Sequence, residues 1–254
     1  MAKKVKGFGK EIFYTVLFMA VLAIAAWYIK QTFFKAGFVH YKEFGIDIPT
    51  KYSIHGIDVS HHQDDIDWKL VKEMRVKDIY LNFAFLKATE GINNVDENFK
   101  DNMEGAQEAG VARGAYHFFI ASKSGKLQAQ NFIDAVNLKK GDLPPVLDVE
   151  KTYGASLIDL QDRIADWLTI IEKKYKVKPI IYTNADFYKT YLAGRFDEYP
   201  LWVAHYLEKD KPNINRSWIF WQHSESGHVT GIRTNVDFNV FNGSGYELKN
   251  ILLK

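Results

Sequence analysis

The chain has 254 residues, 47% hydrophobic and 15% aromatic, enough apolar material for one large core or two small ones. Its formal net charge of +2 is uneven, because residues 1–42 hold seven Lys and one acid while residues 43–254 hold 26 basic and 30 acidic residues; a mildly acidic body without a Lys/Arg stripe excludes general nucleic-acid binding, which depends on phosphate neutralisation. Cysteine is absent, which excludes disulfides, Cys-zinc sites and thiol nucleophiles.

At the N-terminus Lys3, Lys4, Lys6 and Lys10 precede an uncharged apolar run of eighteen residues, Ile12 to Ile29. As a helix it would be about 27 Å long, close to the roughly 30 Å hydrocarbon layer of a bilayer. The run predicts a transmembrane signal anchor over 12–29, a cytoplasmic basic segment over 1–11, and a body on the periplasmic or extracellular side, since lysine-rich flanks stay inside. The tripeptide Ala-Ile-Ala at 23–25 also fits a signal-cleavage site, which would make the body a secreted protein. Trp27 and Tyr28 followed by Lys30 favour the anchor, as an interfacial aromatic pair. Residues 30–52 read as a juxtamembrane linker, part helical, and 53–254 as the folded domain.

From there short apolar runs suited to strands recur at 54–60, 78–88, 114–119, 143–150, 178–184, 200–206, 218–224 and 235–241. Between the first five lie segments with helical apolar spacing, at 66–75, 96–110, 125–137 and 157–176. Alternation of this kind predicts an α/β fold with a parallel sheet, and eight strands predict a closed (β/α) barrel of modified type with fewer than eight helices. The gaps 206–218 and 224–235 carry Pro, Asn, Gly and Ser without helical periodicity, so helices should be missing there. An open doubly wound sheet is the rival architecture. The acids at 64–67 should start a helix.

Barrel chemistry gathers at the C-terminal ends of strands, and polar residues stand at those ends: Asp58, Asp148 and Glu150, Tyr182 and Asn184, Gln222, with Asp237 opening the last strand. Asp148 and Glu150 share one face of an extended chain. Crowded acids raise one another's pKa, so that one stays protonated near neutral pH while another is ionised; that is what glycosidic hydrolysis needs. Tyr116, Tyr182, Trp202 and Trp221 are candidates for stacking on sugar rings, with barrel-wall packing as the alternative for each. His61 and His62 do not read as a metal site, because adjacent side chains diverge and no third ligand follows at useful spacing. His117 and His205 read as rim or core hydrogen-bonding groups.

The segments GIDVSHHQDDIDW, KATEG at 87–91, GAYHFF, LPPVLDVE, IYTN, LWVAHY, FWQHS and GIRTNVDFNVFNGS, in that order, resemble the signature segments of glycoside hydrolase family 25, the Chalaropsis-type lysozymes, from about Ile54 to Ser244. The resemblance implies a modified barrel and N-acetylmuramidase activity on the β-1,4 bond from N-acetylmuramic acid to N-acetylglucosamine in peptidoglycan, by a monomer without a cofactor. It implies that Glu150 is the general acid and that Asp148 orients the substrate 2-acetamido group as internal nucleophile. Asp58 and Asp237 become the remaining rim carboxylates, and Lys87, Tyr116, Tyr182, Asn184, Trp202 and Gln222 the substrate-binding set. A direct carboxylate nucleophile and an inverting route stay open within the same resemblance. No wall-binding repeats follow the domain; the membrane helix would supply local wall concentration instead.

Overall fold

The computed structural model describes residues 8–33, 37–206, 208 and 210–254, and in its first helix the side chains of residues 12–27. Two compact units divide the chain, Met1–Gly37 and Phe38–Lys254.

The first unit holds helix α1, Phe8–Phe33. Its sequence from Lys10 to Phe33 lacks Gly and Pro and includes four Ala and two Leu, both strong helix formers. Apolar side chains stand exposed all round it, Phe13 at 63%, Phe18 at 62% and Ile24 at 65% among them. Among the described residues no helix is long and apolar enough to cross a membrane. The described side chains of α1 end at Trp27, two residues before the end of the apolar run in the sequence.

The second unit begins with a hairpin, β1 (Phe38–Tyr41) and β2 (Ile46–Pro49), and continues through β3 (His55–Val59), α2 (Trp68–Glu73), β4 (Arg75–Val76), β5 (Ile79–Glu90), β6 (Asn94–Val95), α3 (Phe99–Glu108) and β7 (Ala112–Phe118). Then come α4 (Gly125–Ala135), β8 (Val146–Asp148), α5 (Leu157–Tyr175), β9 (Ile180–Asn184) and α6 (Ala185–Phe187), the last running into a wider π-type turn, Tyr188–Leu192. The chain closes with β10 (Leu201–Ala204), β11 (Phe220–Gly227), β12 (Val236–Phe241) and α7 (Gly245–Ile251). The segment read as a linker, 30–52, is part helical as expected, since α1 continues through residue 33, but residues 38–49 form a hairpin that belongs to the second unit, with Phe38 edge-on to Trp221 and Phe44 edge-on to Phe238.

Eight strands close a barrel in the order β3, β5, β7, β8, β9, β10, β11, β12 and back to β3. Neighbours from β3 round to β11 run parallel, whereas β12 is antiparallel to both β11 and β3. The expectation of a parallel sheet therefore fails at one strand. Only residues 228–235 join β11 to β12, short of the dozen or more that a parallel crossover needs, so the chain turns straight back. The four expected helices form with ends shifted by a few residues, and among the described residues none intervenes between β10 and β12. Asp67 caps α2 as its acids predicted, accepting from the amides of Lys69 and Leu70.

The core has two layers. Inside the barrel Phe83, Phe85, Trp202 and Phe220 pack ring on ring, with Phe85 stacked on Trp202 at 4.6 Å. Between strands and helices lie Leu160, Ile164, Trp167 and Leu168 of α5 and Phe132 of α4, all fully buried. Gly56 in β3 is required by this filling, since a Cβ there would sit 2.5 Å from the Phe83 carbonyl oxygen. A barrel plugged by aromatic rings leaves room for chemistry only at its rim.

Candidate active site

Because β12 runs against its neighbours, its first residues lie at the rim where the parallel strands end. Asp237 is thereby the cross-strand partner of Asp58 in β3. Asp148 is the last residue of β8, and Glu150 follows it by two. All four carboxylates line one cavity of about 180 Å³. Of the substrate-binding set expected from the sequence, Lys87 of β5, Tyr116 of β7, Tyr182 of β9 and Trp202 of β10 line it too. Ser60, His62 and Phe118 line it as well, and sequence reasoning passed them over.

Burial and mutual repulsion govern the charge state of these acids. Asp58 is held by three bonds: Gln222 Nε2 donates to both its oxygens at 2.9 and 3.1 Å, and Asn239 Nδ2 donates at 2.6 Å. Burial nevertheless pushes it up to about 6, with the charge of Glu150 adding to the push and these bonds opposing it. Asp237 is pushed up to about 9 by burial, then by the charge of Asp58 and the hydrogen bond to it. Asp148 is raised well above the ordinary carboxylate range by burial first, then by the charge of Glu150 and the hydrogen bond shared with it; the Lys87 ammonium opposes the shift. The Asp148 Oδ1 atom is buried without a partner, consistent with a carboxyl held neutral. Burial and the unpartnered oxygen both favour the protonated form of Asp148.

A second shell of hydrogen bonds fixes this arrangement. Tyr182 and Tyr206 hydroxyls donate to Gln222 Oε1 at 2.7 and 2.6 Å, and Trp202 Nε1 donates to Asn239 Oδ1 at 2.8 Å. Burial raises both tyrosines, so both remain donors. Gln222 stands behind the cavity wall rather than on it, gripping Asp58. Asn184, like Gln222, is an expected substrate group that the structure places off the cavity wall: its side chain caps α6, accepting from the Phe187 amide at 2.8 Å. Trp202 is 2% exposed and stacked within the barrel core, so it acts as floor. Trp221 is fully buried outside the cavity, donating to the His205 carbonyl. Tyr116 and Phe118, half-buried on β7, offer the apolar surface. Tyr153, 41% exposed, lies close enough to feel Glu90, Asp148 and Glu150.

The two adjacent histidines do not diverge. Residues 61–63 form a 3₁₀ turn capped by Ser60, and the rings of His61 and His62 lie side by side, tilted by 42° with centroids 4.1 Å apart. His61 Nδ1 lies 2.7 Å from Asp96 Oδ2, which leaves His62 to face the cavity. His117 is a core group: its ring nitrogens meet Thr89 and Gln128, and burial pushes it down to about 3. Among the described residues no group of three or more His, Asp or Glu is arranged to hold a metal ion.

A larger groove of about 1070 Å³ runs along α2 and α3 on the outside of the barrel. None of the buried acids opens into it, so the smaller cavity carries the chemistry. A carboxyl held toward its neutral form beside a second carboxyl, facing Asp58 across the cavity and next to an apolar surface, can supply a proton to a leaving oxygen and stabilise the positive charge that develops.

Comparison with known proteins agrees with this reading. A family model described as Glycosyl hydrolases family 25 matches residues 57–232. YegX of Escherichia coli strain CFT073, described as uncharacterized, is 46% identical over 252 residues, covering 93% of each chain. Lysozyme M1 of Streptomyces globisporus is 36% identical over 214 residues, covering 77% of this chain and 70% of its own. The solved structure of a family 25 glycosyl hydrolase from Bacillus anthracis superposes with a TM-score of 0.74 at 33% identity, covering 80% of this chain and 95% of that one.

Proposed function

We propose, from the premise that this chain belongs to glycosyl hydrolases family 25 and is a glycoside hydrolase of the lysozyme or muramidase kind, that it cuts the β-1,4 bond from N-acetylmuramic acid to N-acetylglucosamine in peptidoglycan. The observation that carries the residue roles is the meeting of Asp148 and Glu150 with Asp58 and Asp237 on one cavity, where burial and the charge of Glu150 raise Asp148.

In this reading the pair holds a single catalytic proton. At rest it lies with Asp148; passed along the shared hydrogen bond to Glu150, it leaves Asp148 ionised. Glu150, the less buried of the two, then gives the proton to the glycosidic oxygen as the bond to the anomeric carbon breaks. Ionised Asp148 accepts the N–H of the substrate 2-acetamido group, whose carbonyl oxygen closes onto the anomeric carbon. Water opens that ring, returning a proton to Glu150 and giving a product of retained configuration. Asp58 stabilises the developing positive charge across the cavity, and Asp237, adjacent to it, lowers the cost by remaining protonated. In this proposal the protein acts as a monomer. Lys87, paired with Glu90 at 2.6 Å, and His62 are placed to contact the glycan.

Incubated with peptidoglycan, the protein should release soluble glycan fragments, and Glu150→Gln should slow release at least about 10²-fold, the ordinary scale for loss of a general acid. Equal rates for the two proteins would remove Glu150 from that role.

Helix α1 serves, in the same proposal, as an uncleaved anchor that holds the catalytic unit against the outer face of a membrane. Its exposed apolar surface and the lysines before it support this. Full-length protein should pellet with membranes and resist extraction by salt; recovery in the extracellular fluid would mean that the segment is a cleaved signal.

A further inference from the structure

At the end of the barrel opposite the acid cavity, the starts of β8 to β11 border a groove of about 850 Å³. Six lysines line it: Lys139, Lys140, Lys174, Lys176, Lys178 and Lys254. No Asp or Glu does, although the chain beyond residue 42 has more acids than bases. Among the described residues only Lys178 of the six is ion-paired, to Glu198 at 2.8 Å. Ile251, Leu252 and Leu253, all partly exposed, form an apolar floor between the lysines.

We propose that this lysine-rimmed groove is a docking surface for an anionic phospholipid bilayer, seated with the lysines on headgroup phosphates and the leucines at the interface. Charge complementarity is one argument: a bilayer leaflet carrying anionic lipid attracts each nearby Lys within a Debye length. Chain length is the other. Only residues 34–37 separate the end of α1 from β1, a span of at most about 18 Å when fully extended. If α1 lies in a bilayer, the second unit is never far from headgroups. Docking by the end opposite the carboxylates would turn the catalytic rim away from the membrane, toward the wall. This orientation rests on the anchor reading above, but the lipid affinity of the groove does not.

The test separates the two. The second unit, residues 38–254, carries its own closed barrel and both core layers, so it can be assayed without α1. Its sedimentation with phosphatidylcholine vesicles should be compared with that on vesicles containing about one third phosphatidylglycerol. Binding is expected to require the anionic lipid and to fall with added salt. Lys139→Gln, Lys140→Gln, Lys174→Gln and Lys176→Gln combined should weaken it at least about tenfold, with hydrolysis of soluble glycan fragments unchanged. Equal binding to neutral and anionic vesicles, no effect of the four substitutions, or capture by anionic wall polymer in place of vesicles would each overturn the proposal. A unit that binds anionic vesicles while the full chain washes off membranes in salt would keep the groove and reject the anchor.

Discussion

The two ends of the barrel are made from the same strands and solve the problem of buried charge in opposite ways. At the start of β7, Arg113 is buried and paired: Nε donates to Asp142 Oδ1 at 2.8 Å and a terminal nitrogen donates to the Met103 carbonyl, while Asp142 Oδ2 accepts from the Lys139 amide at 2.7 Å. At the other end Asp58, Asp148 and Asp237 are set against one another and against Glu150, and one buried oxygen of Asp148 is left unpartnered. A balanced ion pair closes the barrel; an unbalanced group of acids costs stability and stores a proton. Departure from local satisfaction marks the end where chemistry is done.

Substitutions at each end should break this contrast in different observables. The largest expected effect is on turnover: Asp148→Asn should lower kcat by about 10²- to 10⁴-fold while the melting temperature holds or rises, since an acid kept neutral at rest loses little on becoming an amide. A drop in both would make Asp148 a structural residue. Arg113→Ala should do the reverse, costing on the order of 3–5 kcal/mol of stability by stranding Asp142, with kcat per folded molecule unchanged.

Gln222→Ala should lower kcat by about tenfold and move the acid limb of the pH profile upward, because the bonds from Gln222 hold Asp58 down against its burial. A loss of rate with the limb unmoved would return Gln222 to substrate contact. The smallest effect is a slope. An unfolded Asp237 releases its proton near 3.8, whereas the folded one keeps it up to about 9. The folded protein therefore binds more protons across that interval and loses stability as pH rises through it. Asp237→Asn should flatten the fall in melting temperature between about pH 4 and 9; an unchanged slope would place the proton elsewhere.

Much of the acid end was legible because its residues sit at the ends of apolar runs, so pattern alone brought Asp58, Asp148, Glu150, Tyr182 and Asp237 to one rim. Asn184 fell outside the cavity because it opens a helix, and an Asn directly before a helical turn is a signal for a cap. Asn239 escaped notice although it lies two residues after Asp237 on the same face of β12. The hairpin of residues 38–49 was not legible, since strands of four residues draw their stability from rings supplied by β11 and β12. Nor was the lysine groove: its charges come from three stretches, 139–140, 174–178 and 254, which no linear stripe connects. The capping box of Ser244 and Glu247 that starts α7 was written in the sequence and not used.

The most direct test of the central claim is the chemical identity of the new ends. Peptidoglycan digested by the protein, reduced with borohydride and analysed by mass spectrometry, should yield fragments ending in reduced muramic acid, and Glu150→Gln should yield almost none. Fragments ending in reduced glucosamine, or the same yield from both proteins, would contradict the account.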